Sequence, residues 1–136
     1  MKSGLKVTIL VAFSLVIIFG ISVYISKSYY PSLPFEGLSK REALKKIESN
    51  DNAELIKLTE GATFEWYAYK GNQQDGSKQI IKKMEQRGFV FREQLGAGYI
   101  FRDKDNEVKK DKIIESQMWT SKYVLYEVPK TLDDDK

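Results

Sequence analysis

Apolar positions along this chain follow three patterns: an unbroken run near the start, stripes at helical spacing in two places, and alternation with a period of two over much of the rest. The unbroken run is residues 7–25, nineteen residues without a charge, thirteen of them Leu, Ile, Phe or Val. As a helix it is about 28 Å long, which matches the hydrocarbon core of a bilayer. Each such side chain favours lipid by roughly 0.3–0.6 kcal/mol near the bilayer centre, so Thr8, Ser14, Gly20 and Ser22 are tolerated. The pattern predicts an uncleaved transmembrane anchor. The alternative is a secreted chain whose signal peptide is removed at Gly20/Ser22 or Ser26/Ser28, although neither pair is the favoured Ala pair and the apolar run outlasts a usual signal core.

Lys2 and Lys6 lie before the run with no acidic residue, which predicts a short cytoplasmic tail over residues 1–6 and a body outside the membrane. Lys27, Lys40, Arg41 and Lys45 on the far side weaken that asymmetry, but large domains translocate with little regard to charge. Tyr24, Tyr29 and Tyr30 gather where the run ends and are expected at the membrane interface, where amphipathic rings favour the headgroup layer.

Pro31 and Pro34 disfavour helix in the residues before them, so a linker is expected over 26–35, with an extracytoplasmic domain over 36–129 and a polar tail over 130–136. Within the domain, Ser39 and Glu42 have capping-box spacing ahead of Ala43, Leu44 and Ile47, which predicts a helix over 40–49, stopped by Asn50, Asp51 and Asn52. Strands are expected over 53–59 and 63–70 around a turn at Glu60 and Gly61. In the second, Phe64, Trp66 and Ala68 alternate with Glu65, Tyr67 and Tyr69. Residues 71–76 are expected to form a polar loop, and Ser77 to cap a second helix with a stripe of Ile80, Ile81 and Met84, ended by Gly88.

Four further strands are expected over 89–95, 99–102, 112–118 and 123–128, separated by Gly96 and Gly98, by a turn over 103–106 and by residues 120–122. Short links between successive strands make antiparallel neighbours. The fold class is therefore α+β: a single transmembrane helix, then a small domain with a mostly antiparallel sheet and two helices against one of its faces.

Composition narrows the chemistry. His and Cys are absent, which excludes Ser-His-Asp and Cys-His catalysis, thiolate metal sites, disulfides and lipidation at cysteine. Removing Lys2 and Lys6 from the 22 basic residues leaves 20 against 19 acidic ones. Such a near-neutral body argues against nucleic-acid binding, which needs concentrated positive charge.

Several local patterns are weighed against plain structural roles. Gly96-Ala97-Gly98 lacks the following helix of a phosphate loop and reads as a hairpin turn. Asp103, Asp105, Asn106 and Glu107 lack the glycine and terminal glutamate of a calcium loop and read as a solvated turn. Asp133 to Asp135 read as a solubilising tail, and a Ser39–Lys40 dyad has no supporting motif. Glu65, Glu93 and Glu115 are expected to point to solvent from strands, with no cleft marked for a catalytic pair.

No catalytic, cofactor-binding or metal-ligating residue is therefore assigned, no cofactor is expected, and the chain is not expected to be an enzyme. The most distinctive body feature is aromatic: if Phe64 and Trp66 face the helices, Tyr67 and Tyr69 occupy the uncovered face and form a binding strip. The function expected is a single-pass, membrane-anchored extracytoplasmic module whose partners are the lipid bilayer and a protein or envelope component. A membrane guard of the bacteriocin-immunity or toxin-exclusion type is the first alternative. A carboxylate enzyme of envelope polymers is the second.

Overall fold

A computed structural model describes residues 2–50, 52–106, 108 and 110–130. Helix α1 (Lys2–Ser26) is followed by α2 (Lys40–Glu48), β1 (Ile56–Glu60), β2 (Phe64–Lys70), α3 (Gln73–Gln86), β3 (Phe89–Leu95), β4 (Gly98–Asp103), β5 (Lys112–Thr120) and β6 (Tyr123–Pro129). The strands form one six-stranded sheet in the order β1-β2-β6-β5-β4-β3, and every neighbouring pair is antiparallel. The fold is α+β. Helix α1 buries no residue against the rest of the chain and is long and apolar enough to cross a membrane.

The helices lie on opposite faces of the sheet, which corrects the expected one-sided layer. Helix α2 sets Ala43, Leu44 and Ile47 against Leu58, Ala68, Trp119, Tyr123 and Leu125. Helix α3 sets Ile80 and Met84 against Tyr67, Tyr69, Phe101, Val124 and Tyr126. Alternate residues of β2 and β6 thus enter different cores, and both strands are buried on two sides. Only a strand apolar at nearly every position supports such burial, and Tyr-Val-Leu-Tyr at the start of β6 is one.

Helix α2 begins with the expected capping box: the Ser39 hydroxyl accepts from the Glu42 N–H (3.2 Å), and the Glu42 carboxylate accepts from the Ser39 N–H (2.9 Å). Helix α3 starts earlier than expected, at Gln73. Asn72, not Ser77, is its cap, accepting from the Asp75 N–H at 2.8 Å, while the Ser77 hydroxyl donates back to the Gln74 carbonyl (2.7 Å). The expected polar loop is therefore the first turn of the helix. Gly76 in that turn lies directly on Tyr69 and Tyr126, so the residue that argues against helix by propensity is the one the packing requires.

Residues 27–38 do not hang free between α1 and the domain. Lys27 adopts a left-handed conformation (φ 54°) that ends α1, and the chain then runs along the α2 side of the sheet. Tyr30, Leu33, Phe35 and Leu38 pack onto that core. The Trp119 indole donates to the Pro31 carbonyl (2.8 Å), Tyr30 meets Trp119 edge-on (5.4 Å), and Phe35 lies against Trp66 (5.0 Å). Lys40 donates to the carbonyls of Tyr30 and Ser28, at 2.7 and 3.3 Å. These contacts make the segment a strap. Asp51, Glu107 and the tail containing Asp133 to Asp135 lie outside the described residues.

Candidate functional site

Tyr67 and Tyr69 do not form an open strip. The two residues are 3% and 6% exposed because α3 covers the face they occupy. Alternation along β2 is as expected, and α2 packs on the Trp66 side; what differs is that α3 covers the Tyr67 side as well. A polar edge survives at the Tyr67 hydroxyl, which donates to the Glu65 carboxylate (3.2 Å) and accepts from Arg87 (2.9 Å). Glu65 also pairs with Lys57 and Arg87, each at 2.9 Å. Burial pushes the Glu65 carboxyl up, but these two cations outweigh it and hold the group below the ordinary carboxylate value. Glu65 therefore ties β1, β2 and the end of α3 together rather than pointing free into solvent.

The open surface lies elsewhere. Helix α2 lies over β1 and β2, and the strap over Trp66 and over Trp119 near the end of β5, so neither covers the same face of β3, β4 and the first half of β5. Register pairs Val90 with Arg102, Glu93 with Ile100, Leu95 with Gly98, Ile100 with Ile113 and Gly98 with Glu115, which places all of these on that bare face. Val90, Leu95 and Ile113 are 45%, 62% and 52% exposed. Gly98 has no side chain between Leu95 and Glu115, and a shallow groove of about 400 Å³ opens there, lined by Leu95, Ala97, Gly98, Ile100, Ile113 and Glu115. Its rim carries a feature that no spacing along the chain reveals. Glu115 stands opposite Glu127 on β6, and Glu127 in turn opposite Trp66 on β2. Burial, and then the Glu115 charge, raise the Glu127 carboxyl above its ordinary value.

The remaining sequence candidates resolve into structural roles. Gly96 takes a positive φ of 59° in the two-residue β3–β4 turn, whose Ala97 carbonyl accepts from the Ser116 N–H (2.8 Å). Asp103 accepts from the Asp105 N–H (3.0 Å) within a turn. Among the described residues, no three His, Cys, Asp or Glu come together as a cation site. The Ser39 hydroxyl donates to Glu42 (2.7 Å) and the Lys40 amine goes to the strap, so the two do not meet as a dyad. Glu93 is exposed on edge strand β3. At the end of α1, Tyr24 and Tyr29 are exposed, whereas Tyr30 turns inward onto Trp119. Comparison with known proteins finds no matching family model, no similar curated protein and no similar solved structure.

Proposed function

We propose that this chain is a single-pass, membrane-anchored extracytoplasmic module that acts by binding a protein or envelope component through the bare half of its sheet. The observation that carries this reading is the cluster of exposed Val90, Leu95 and Ile113 around the half-buried Ile100 beside a groove, on the part of the sheet that neither α2, α3 nor the strap covers. Clustered exposed apolar side chains rimmed by charge mark interaction sites more often than scattered ones do. Helix α1 supplies the anchor and the strap holds the domain close to it, with the body on the outer side following from the basic residues before the span.

The test uses the full chain in native membranes with a photo-crosslinking residue at Ile113 or, as control, at Lys82 on the exposed side of α3. A discrete adduct from Ile113 that disappears with Ile100→Lys, and no adduct from Lys82, supports the reading. Equal labelling from both positions, or none from Ile113, overturns it. Release of the unmodified chain by alkaline carbonate, or survival of a carboxy-terminal epitope when protease is added to intact cells, overturns the anchor or its orientation.

A further inference from the structure

The end of α1 and one side of α2, from Arg41 to its C-cap Ser49, border a second, open cavity of about 450 Å³, lined by Ile25, Lys27, Arg41, Leu44, Lys45, Glu48 and Ser49. Its composition is lopsided. Lys27, Arg41 and Lys45 contribute three cations against Glu48, and Glu48 already accepts from the Tyr123 hydroxyl (3.1 Å). Among the described residues, neither Arg41 nor Lys45 pairs with a carboxylate, whereas Lys57, Lys78, Arg87 and Arg102 all do. Arg41 and Lys45 stand one helical turn apart, on the same side of α2. Lys27 reaches the cavity because its left-handed backbone turns the chain at the end of α1, and its ammonium lies 4.2 Å from the Tyr24 ring centroid.

Location identifies the occupant. Ile25 is the last apolar residue of the run, so the apolar wall of the cavity continues the lipid-facing surface of α1 while the cations stand just beyond it. An apolar floor continuous with the acyl region below a ring of cations is complementary to one amphiphile: a phosphate-bearing headgroup with its chains alongside α1. We propose that this junction is a binding site for an anionic phospholipid headgroup, with Arg41 and Lys45 on the phosphate and Lys27 at the interface. Arginine suits a phosphate because its planar fork donates two parallel hydrogen bonds, and cations at the membrane surface are drawn to anionic lipid. Such a lipid would hold α2 against the end of α1 and so fix the tilt of the domain over the membrane. The inference rests on the reading of α1 as a membrane anchor.

The test is lipid retention by the full chain, reconstituted in phosphatidylcholine vesicles containing 30 mol% phosphatidylglycerol and released in mild detergent for native mass spectrometry. Wild type is expected to retain phosphatidylglycerol in preference to phosphatidylcholine, and Arg41→Gln/Lys45→Gln to retain at least fivefold less. Lys82→Gln/Lys104→Gln, with the same loss of charge elsewhere, is expected to match wild type. All four positions are exposed, and equal melting temperatures check that the variants are folded. Equal retention by both double variants, or no headgroup preference in wild type, overturns the site while the anchor stands, provided the chain floats with the vesicles. A chain that does not float overturns both. Displacement of the lipid by a soluble acidic peptide at equal concentration would assign the cavity to a protein partner instead.

Discussion

The Trp119 indole N–H donates to the carbonyl of Pro31, 88 residues away in sequence, at 2.8 Å. This bond joins the segment leaving α1 to the end of β5, and the edge-on contact between Tyr30 and the same indole reinforces it. A domain on a free tether samples many orientations relative to the helix before it; one whose tether is hydrogen-bonded and packed into its own core samples fewer.

The strap is therefore expected to contribute to the stability of the domain itself. Trp119→Phe keeps much of the ring but leaves the Pro31 carbonyl without its donor, at a cost of about 1–3 kcal/mol. Truncation to begin at residue 39 removes Tyr30, Leu33, Phe35 and Leu38 from the core and should lower the melting temperature further. Thermal unfolding of the detergent-solubilised full chain, wild type against Trp119→Phe, checks the first expectation. An unchanged midpoint would show that the strap rests on the sheet without supporting it.

Gly76 and Tyr126 offer a sharper test of packing. A Cβ at position 76 would lie 2.5 Å from the Tyr126 hydroxyl oxygen and 3.1 Å from a Tyr69 ring carbon. Gly76→Ala should therefore cost about 1–3 kcal/mol, although alanine is the better helix former. The Tyr126 hydroxyl is buried without a hydrogen-bond partner, so Tyr126→Phe should leave stability within about 1 kcal/mol of wild type or raise it. Combining the two removes the closest clash, and the double variant should be more stable than the sum of the single effects predicts. Urea denaturation of all four proteins measures this coupling; strict additivity would mean the helix shifts away from β6 instead.

Burial of Tyr67 and Tyr69 reverses the behaviour expected of a binding strip. Each ring packs beneath α3 in the larger core, so truncation to alanine should cost roughly 3–5 kcal/mol, in the range for large aromatic side chains. Tyr67→Phe is the milder change, because it keeps the ring and removes only the hydroxyl's hydrogen bonds to Glu65 and Arg87, which stay paired directly. Chemical denaturation separates these outcomes: near-native stability for either alanine variant would place that ring outside the core.

The sequence carried the elements far better than their sides. Alternation in β2 separates Trp66 from Tyr67 without any knowledge of neighbours, and Ser39 with Glu42 marks the start of α2 locally. Which face of the sheet a helix covers depends on how the chain turns at both its ends, and the stripe of Ile80 and Met84 is the same for either side. A signal was present nonetheless: large aromatics on both faces of β2, and a β6 that is apolar at consecutive positions, together demand cover on two sides. Asn72 and Ser77 are both competent caps, and only the contact of Gly76 with Tyr126 favours the earlier start. The groove between β4 and β5 and the pairing of Glu115 with Glu127 depend on register between strands, which no spacing within either strand specifies.

That carboxylate pair makes stability depend on pH in a direction opposite to the usual acid effect. Glu127 is raised first by burial and then by Glu115 facing it across β5 and β6. A carboxyl whose folded pKa lies above its unfolded value binds its proton more tightly in the folded state. Its contribution is thus favourable below the unfolded pKa of about 4.5 and is lost as the pH rises through the folded pKa. At neutral pH the charged group is a net cost. Glu127→Gln removes that cost and keeps the shape, so its melting temperature should exceed that of wild type at pH 7, and the difference should shrink at pH 4. Glu65→Gln is the internal contrast: Lys57 and Arg87 hold Glu65 low, so its loss should destabilise at pH 7 and matter progressively less as the pH falls through the folded Glu65 pKa. Melting curves of the two variants against wild type across that range decide it. A Glu127→Gln protein less stable than wild type at pH 7 would show that the carboxylate has a favourable partner on the bare face of the sheet, and the charge rimming the groove would then be held in place rather than strained.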